Sequence, residues 1–316
     1  MSFAKDTKLQ ILALPPENKN CEIAFMSGLL NVSGEFNLDE KSVSFLTDIP
    51  KLYDYANNII SRLYGKEVKL EIADDIRINK TKYFKVCLPK DFAMQMLKDF
   101  GILGSENEFL AGKINDDLLK DDESKKAYIK GVFLGCGTSS IKLSKVKTES
   151  GSTGYNVEFV SRSHNFLMEL SLVLAEFGII TRLIQRKKHF VLYVKESNLI
   201  SDLLALMGAY DSVLKLQDEL ALRELRNKIN RQTNCLSANI TKTVNASLKQ
   251  VEAIQIISDT IGLESLPMEL QEVALLRLAN PEESLSELMG LTTEKLSKSA
   301  LNHRLMKIQK IANGLK

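Results

Sequence analysis

Met26-Ser27-Gly28-Leu29-Leu30-Asn31-Val32-Ser33-Gly34 is followed, 103 positions on from Gly28 to Gly131, by Ile129-Lys130-Gly131-Val132-Phe133-Leu134-Gly135-Cys136-Gly137. Both stretches read apolar-x-Gly, then mostly apolar residues, then Gly. A fixed offset of this kind marks a duplicated unit of about a hundred residues. Each copy is expected to be a short helix ending at its last glycine. Gly34 and Gly137 suit the left-handed position that follows a helix, where a Cβ is strained. Gly28, Gly131 and Gly135 leave room for a second backbone, so the two helices can pack face to face.

The segments after each copy repeat one order: helix, two strands, helix, two strands, helix. In the first half a turn-rich lead-in through Pro15-Pro16 comes first. Strands are expected at 34–38 and 42–47, a 3.6-periodic helix from Pro50 to Tyr64 stopped by Gly65, strands at 68–72 and 83–88, and a helix from Asp91 to Phe100. In the second half the strands are 140–144 and 156–160 around a hairpin tip at 149–154. A helix follows from Asn165 to Phe177, then strands at 179–185 and 190–194 and a helix from Ser197 to Met207. Residues 115–126 read as an exposed linker helix. Alone, GxxxxxG is also a generic helix-packing pattern; agreement across both halves gives it weight.

The chain has 316 residues, 44% of them apolar, enough for an ordinary core. Its net charge of +2 is unevenly spread. Residues 223–249 hold six Lys and Arg against one acid, and residues 297–316 hold five against none. Such basic clusters are the electrostatic footprint of nucleic-acid binders. The four cysteines lack metal or disulfide spacing, so no cofactor and no metal are implied. His164 and His189 read as structural or exposed. Neither a signal peptide nor a membrane span is evident, which leads to the expectation of a cytoplasmic, nucleoid-associated protein.

From Gln217 the character changes. A helix continues through Ile229 into residues 230–239, rich in amides and hydroxyls and including Arg231, which read equally as phosphate contacts or as an interdomain turn. Ser247 is expected to cap a helix with Val251, Ile254 and Ile257, closed by Gly262. Pro267 opens the next helix. Ser284-Leu285-Ser286-Glu287 is a capping box starting a short helix, and Ser297 caps a last one carrying Leu301, Leu305, Ile308 and Ala312 on one face. Short helix, turn, basic helix is the order of a helix-turn-helix. Lys298, Ser299, Asn302 and His303 then become candidates for base edges, with Arg304, Lys307 and Lys310 nearer the phosphates.

The paired glycine helices resemble the LAGLIDADG homing endonucleases, in which the eighth motif position carries an acid that holds a catalytic metal. Here those positions are Ser33 and Cys136, and neither supplies the anionic oxygen that Mg²⁺ chemistry needs. In that family the sheet face is a DNA saddle; Arg182, Arg186, Lys187 and Lys188, with Lys142, Lys145 and Lys147, form a basic cluster there, which reads either as a DNA contact or as a solvated surface. The C-terminal part resembles the promoter-reading domain of bacterial sigma factors. The combination over essentially the whole chain is similar to the WhiA family, with departures at Ala300-Leu301, usually Gly-Val, and at Met306, where a basic residue is common.

This resemblance implies an α+β fold: a duplicated LAGLIDADG-like αββαββα domain over residues 1–222, with repeats at about 21–110 and 127–210, then an all-α connector and helix-turn-helix over 223–316. It implies a non-enzymatic regulator of transcription that binds double-stranded DNA, tied to cell division, chromosome segregation and, in spore formers, sporulation. The front domain would serve as scaffold or bind a protein partner; no membrane and no small-molecule substrate are expected. Two rivals remain: a protein-interaction factor of the division machinery, and a nuclease drawing its acid from Glu35, which has Thr138 as its counterpart.

Overall fold

A computed structural model describes residues 2–37, 39–78, 81–110, 113–141 and 154–315, with only the backbone described for 70–78 and 81–82. Lys142, Lys145, Lys147 and the hairpin tip through Thr153 lie outside the described residues, as does Leu38. The chain divides into two compact units, Met1–Ala221 and Leu222–Lys316.

The first unit holds both repeats. In the first, α2 (Lys19–Ser33) leads into β1 (Gly34–Asn37) and β2 (Ser42–Thr47), then α3 (Pro50–Tyr64), β3 (Lys69–Ile78), β4 (Thr81–Cys87) and α4 (Ala93–Asp99). The second repeats the order with α5 (Asp122–Cys136), β5 (Gly137–Ile141), β6 (Tyr155–Ser161), α6 (His164–Glu176), β7 (Arg182–Arg186), β8 (His189–Val194) and α7 (Ser197–Leu206). Each repeat forms one antiparallel four-stranded sheet, ordered β1-β2-β4-β3 and β5-β6-β8-β7. The α+β architecture expected from the glycine repeat is present in both copies.

α2 and α5 form the spine of this unit, and their inner glycines allow it. A Cβ at Gly28 would collide with the carbonyl of Tyr128, and one at Gly131 with the carbonyl of Phe25. Around them Phe25, Met26, Leu29, Ile129, Val132 and Phe133 are buried in one core shared by both repeats.

Gly34 and Gly137 correct the reading of the helix ends. Both are extended, at φ −69° and −79°, because each motif helix runs directly into a strand. Space, not handedness, selects glycine there: a Cβ would strike the carbonyl of Leu30 and the ring of Phe36 in one case, and the carbonyl and ring of Phe133 in the other. The left-handed stops in this unit are Gly65, Gly101, Gly178 and Gly208, at φ +64°, +64°, +74° and +80°.

Two other segments differ from expectation. The lead-in contains a helix, α1 (Phe3–Ile11), capped by Ser2. Its polar face is not exposed: Thr7 Oγ1 lies 3.0 Å from Ser212 Oγ, and Gln10 Nε2 donates to that hydroxyl at 3.0 Å. Residues 115–126 are not one linker helix. They form a 3₁₀ turn at Asp116–Leu118, and Asp121 then caps α5, so Lys125 and Lys126 belong to the second motif helix.

α8 (Tyr210–Thr260) runs from the first unit into the second without a break. Residues 230–239 are helical and exposed, which removes the interdomain-turn option; the segment contains no Gly or Pro to break it. Ser247 is therefore inside a helix and caps nothing. The second unit continues with α9 (Met268–Ala279), α10 (Leu285–Gly290) and α11 (Lys298–Asn313).

Candidate nucleic-acid interface

The lost acidic positions come together at the C-terminal ends of α2 and α5. Ser33 Oγ donates to the carbonyl of Leu29 at 2.6 Å, so its hydroxyl is spent within its own helix. Burial pushes the Cys136 thiol up to about 12, against the pull of the neighbouring Lys8 ammonium. Lys8 Nζ donates to the carbonyl of Leu134 at 3.2 Å, and burial lowers its pKa while Asp48 opposes the shift. A fixed ammonium thus meets the negative end of α5. Ser33 and Cys136 line a cleft of about 660 Å³ with Asn31, Arg162, Ser163 and His189. None of its lining residues is a carboxylate. Among the described residues no group of three His, Cys, Asp or Glu side chains is placed to hold a metal. Glu35 is engaged with Lys85 at 3.6 Å, and Thr138 is exposed.

On the second sheet Arg182, Lys187 and Lys188 are exposed, while Arg186 makes a two-pronged contact with Glu158 at 3.3 Å. His164 packs edge-on against Phe190, and His189 is exposed.

The C-terminal unit is built around a second core. Ile254 and Ile257 of α8, Leu270, Val273 and Ala274 of α9, and Leu288 of α10 are buried with Leu301, Leu305, Ile308 and Ala312 of α11. These four α11 positions fall on one side of the helix, so the opposite side faces water. Ser297 Oγ accepts from the Ala300 amide at 3.2 Å, and the Ser284–Glu287 capping box is fully formed.

The turn between α10 and α11 is held by side chains. The Thr292 hydroxyl lies 2.8 Å from the carbonyls of both Met289 and Glu294. Thr293 donates through its amide and its hydroxyl to Glu272 of α9. Arg277 supports the loop before α10: it is 2% exposed, and its Nη1 donates to the carbonyls of Glu283 at 2.7 Å and Asn280 at 3.2 Å and to Ser247 Oγ at 3.4 Å. Ser247 in turn donates to the Pro281 carbonyl. Sequence reasoning missed Arg277 because an arginine in a helix reads as surface; its signal was Ala and Leu neighbours on both sides.

The exposed side of α11 carries Lys298, Ser299, His303, Met306, Lys307 and Lys310. Asn302 is half-buried, with Nδ2 3.8 Å from Met306 Sδ. Arg304 is placed differently. Only 15% of its side chain is exposed, and Nη2 sits 3.2 Å from Glu294 and 3.5 Å from Glu269. It ties α11 to α9 and to the turn, and its charge is already matched. Arg231 lies on the exposed stretch of α8, its Nε donating to the Asn227 carbonyl at 3.2 Å. Lys295, unassigned from sequence, is exposed on the turn just before α11.

This arrangement has counterparts. Residues 229–312 match the model of the WhiA C-terminal HTH domain, and residues 125–226 that of the WhiA LAGLIDADG-like domain. "Probable cell division protein WhiA" of Clostridium acetobutylicum is 34% identical over 322 aligned residues, covering 100% of this chain and 99% of that protein. The Staphylococcus epidermidis protein of the same name is 34% identical, covering 100% and 98%. The crystal structure of full-length DUF199/WhiA from Thermotoga maritima shares the fold, with a TM-score of 0.56 at 22% identity over 99% of both chains. With a degenerate LAGLIDADG-like domain and a C-terminal helix-turn-helix domain, the chain belongs to the WhiA family.

Proposed function

We propose that this protein is a non-enzymatic, double-stranded-DNA-binding regulator that acts in cell division, the role named for its relatives. The observation that carries the reading is the outer side of α11, where Lys298, Lys307 and Lys310 stand in water beside Ser299 and His303. Lys298 and Ser299 sit in the first turn, the end of a helix-turn-helix's second helix that meets base edges. Asn302 and His303 come one turn later, within reach of base edges. Lys307 and Lys310 supply charge to the backbone. Arg304 acts from behind, by fixing α11 against α9.

Ser33 and Cys136 support the non-enzymatic part, since neither provides a hard anionic ligand. Chromosome segregation and control of transcription belong to the same reading. The test is a titration of end-labelled duplex with the full chain in Mg²⁺ buffer at two salt concentrations. The expected result is uncut DNA bound tightly at low salt and weakly at high salt. Cleavage would overturn the non-enzymatic part, and absence of binding at low salt would overturn the DNA reading.

A further inference from the structure

The exposed middle of α8 is apolar along one line. Leu222, Leu225, Ile229, Leu236, Ile240 and Val244 are each 47–63% exposed. At about 100° per residue they fall within roughly 100° of one another on the helix. Arg231 and Lys242 project from the opposite side. An apolar stripe in water, interrupted at Gln232 and Thr233, marks an interaction surface.

We propose that this stripe pairs with the same stripe of a second copy of the chain, antiparallel, about a two-fold axis between Gln232 and Thr233. The spacing of the stripe is the reason. A two-fold contact must be self-complementary, residue i meeting j while j meets i. In this register Leu225 meets Ile240, Ile229 meets Leu236, and Leu222 meets Val244 to within one residue. Gln232 and Thr233, the polar interruption, meet each other at the axis and can exchange hydrogen bonds that fix the register.

The charges agree with this orientation. Residues 223–249 carry six cations and one acid, so an in-register parallel pair would set Arg226 against Arg226 and Lys228 beside Lys228. The antiparallel pair sets Arg226 against Asn239 and Lys228 against Ser237, and its one like-charge pairing, Arg223 with Lys242, involves a lysine that projects from the opposite side of the helix. The stripe covers on the order of 1,200 Å² when both copies are counted, at the lower edge of stable interfaces. The dimer would carry two copies of α11; the pairing itself does not depend on the DNA reading.

The test uses the full chain. Sedimentation at about 100 µM, a concentration that populates micromolar complexes, is expected to give twice the chain mass, and the double variant Ile229→Lys, Leu236→Lys a single mass. In a Cys235→Ser background, Leu225→Cys and Ile240→Cys chains are expected to cross-link when mixed and not alone, while Thr233→Cys cross-links alone. A monomer at that concentration overturns the proposal. So does a dimer that survives the double variant, or equal self-cross-linking at Leu225→Cys and Thr233→Cys, which signals a parallel pair. A monomer that binds phosphatidylglycerol vesicles would assign the stripe to lipid instead.

Discussion

The carbonyl of Phe25 on α2 occupies the place a Cβ would take at Gly131 on α5, and the carbonyl of Tyr128 does the same for Gly28. The two motif helices therefore touch backbone to backbone, with each glycine covered by the other helix. Replacing Gly131 with Val forces them apart through a core buried on all sides. The expected cost is about 3 kcal/mol or more, above the usual range for overpacking because backbone cannot rotate away. Gly178→Ala is the comparison: that site has open space around it and a φ of +74°, so only the left-handed strain of about 1–2 kcal/mol applies. Urea unfolding of both variants measures the gap; equal costs would remove the packing argument.

Lys307 and Lys310 are expected to separate from Arg304 when each is replaced by Ala. The lysines are exposed with no ion pair among the described residues, so their loss should leave thermal stability unchanged. It should weaken binding to all duplexes alike and lower the salt slope by about one for each lost phosphate contact. Arg304→Ala leaves Glu269 and Glu294 without their cation. It should cost the C-terminal unit about 1–2 kcal/mol, as for a hydrogen-bonded charge, before any effect on DNA is measured. Binding isotherms at several salt concentrations, beside melting curves, distinguish the two classes.

The glycine pattern exposed most of the fold because it records two backbones in contact, and the capping residues Ser284 and Ser297 stand where helices begin. Gly34 and Gly137 were misread because glycine before a strand and glycine in a left-handed stop look alike in sequence. α1 was hidden because its buried partner, Ser212, is 205 positions from Thr7. The exposed residues of α11 were legible from periodicity against the Leu301–Ala312 stripe. The inward role of Arg304 was not, since Glu269 comes from α9 and Glu294 from a turn.

Thiol chemistry should single out Cys235. It is exposed on α8, whereas Cys21 is buried and its thiol is raised by burial. With Cys136 held near 12, its thiolate fraction at pH 8 is about a thousandfold below that of a thiol near 9, and only the thiolate reacts. Ellman's reagent at pH 8 should give a fastest phase that is lost in Cys235→Ser, with the half-buried Cys87 reacting more slowly. The Cys136 thiol, half-buried in its cleft, should react far more slowly until the chain unfolds. Because its folded pKa lies above the unfolded value, the associated stability is present below about pH 9 and is lost as pH rises toward 12.

Arg277 supplies the sharpest test of how the reading head is held. Its guanidinium is enclosed, and burial lowers its pKa against the pull of Glu283. Three acceptors depend on it: two carbonyls of the loop between α9 and α10, and the Ser247 hydroxyl on α8. Arg277→Met fills the volume but leaves those acceptors short of a donor, at about 1–3 kcal/mol for each group left unsatisfied. Arg277→Lys keeps the charge yet cannot reach all three, so it should rescue little. The C-terminal unit contains no Phe, Tyr or Trp, which makes the readout selective. Near-ultraviolet circular dichroism follows the first unit alone, while the far-ultraviolet signal follows both. In either variant the far-ultraviolet signal should begin to fall at lower urea while the near-ultraviolet midpoint stays in place, and duplex affinity should fall with it. A shift of both midpoints together would show that Arg277 serves the whole chain and not the seat of α10 and α11.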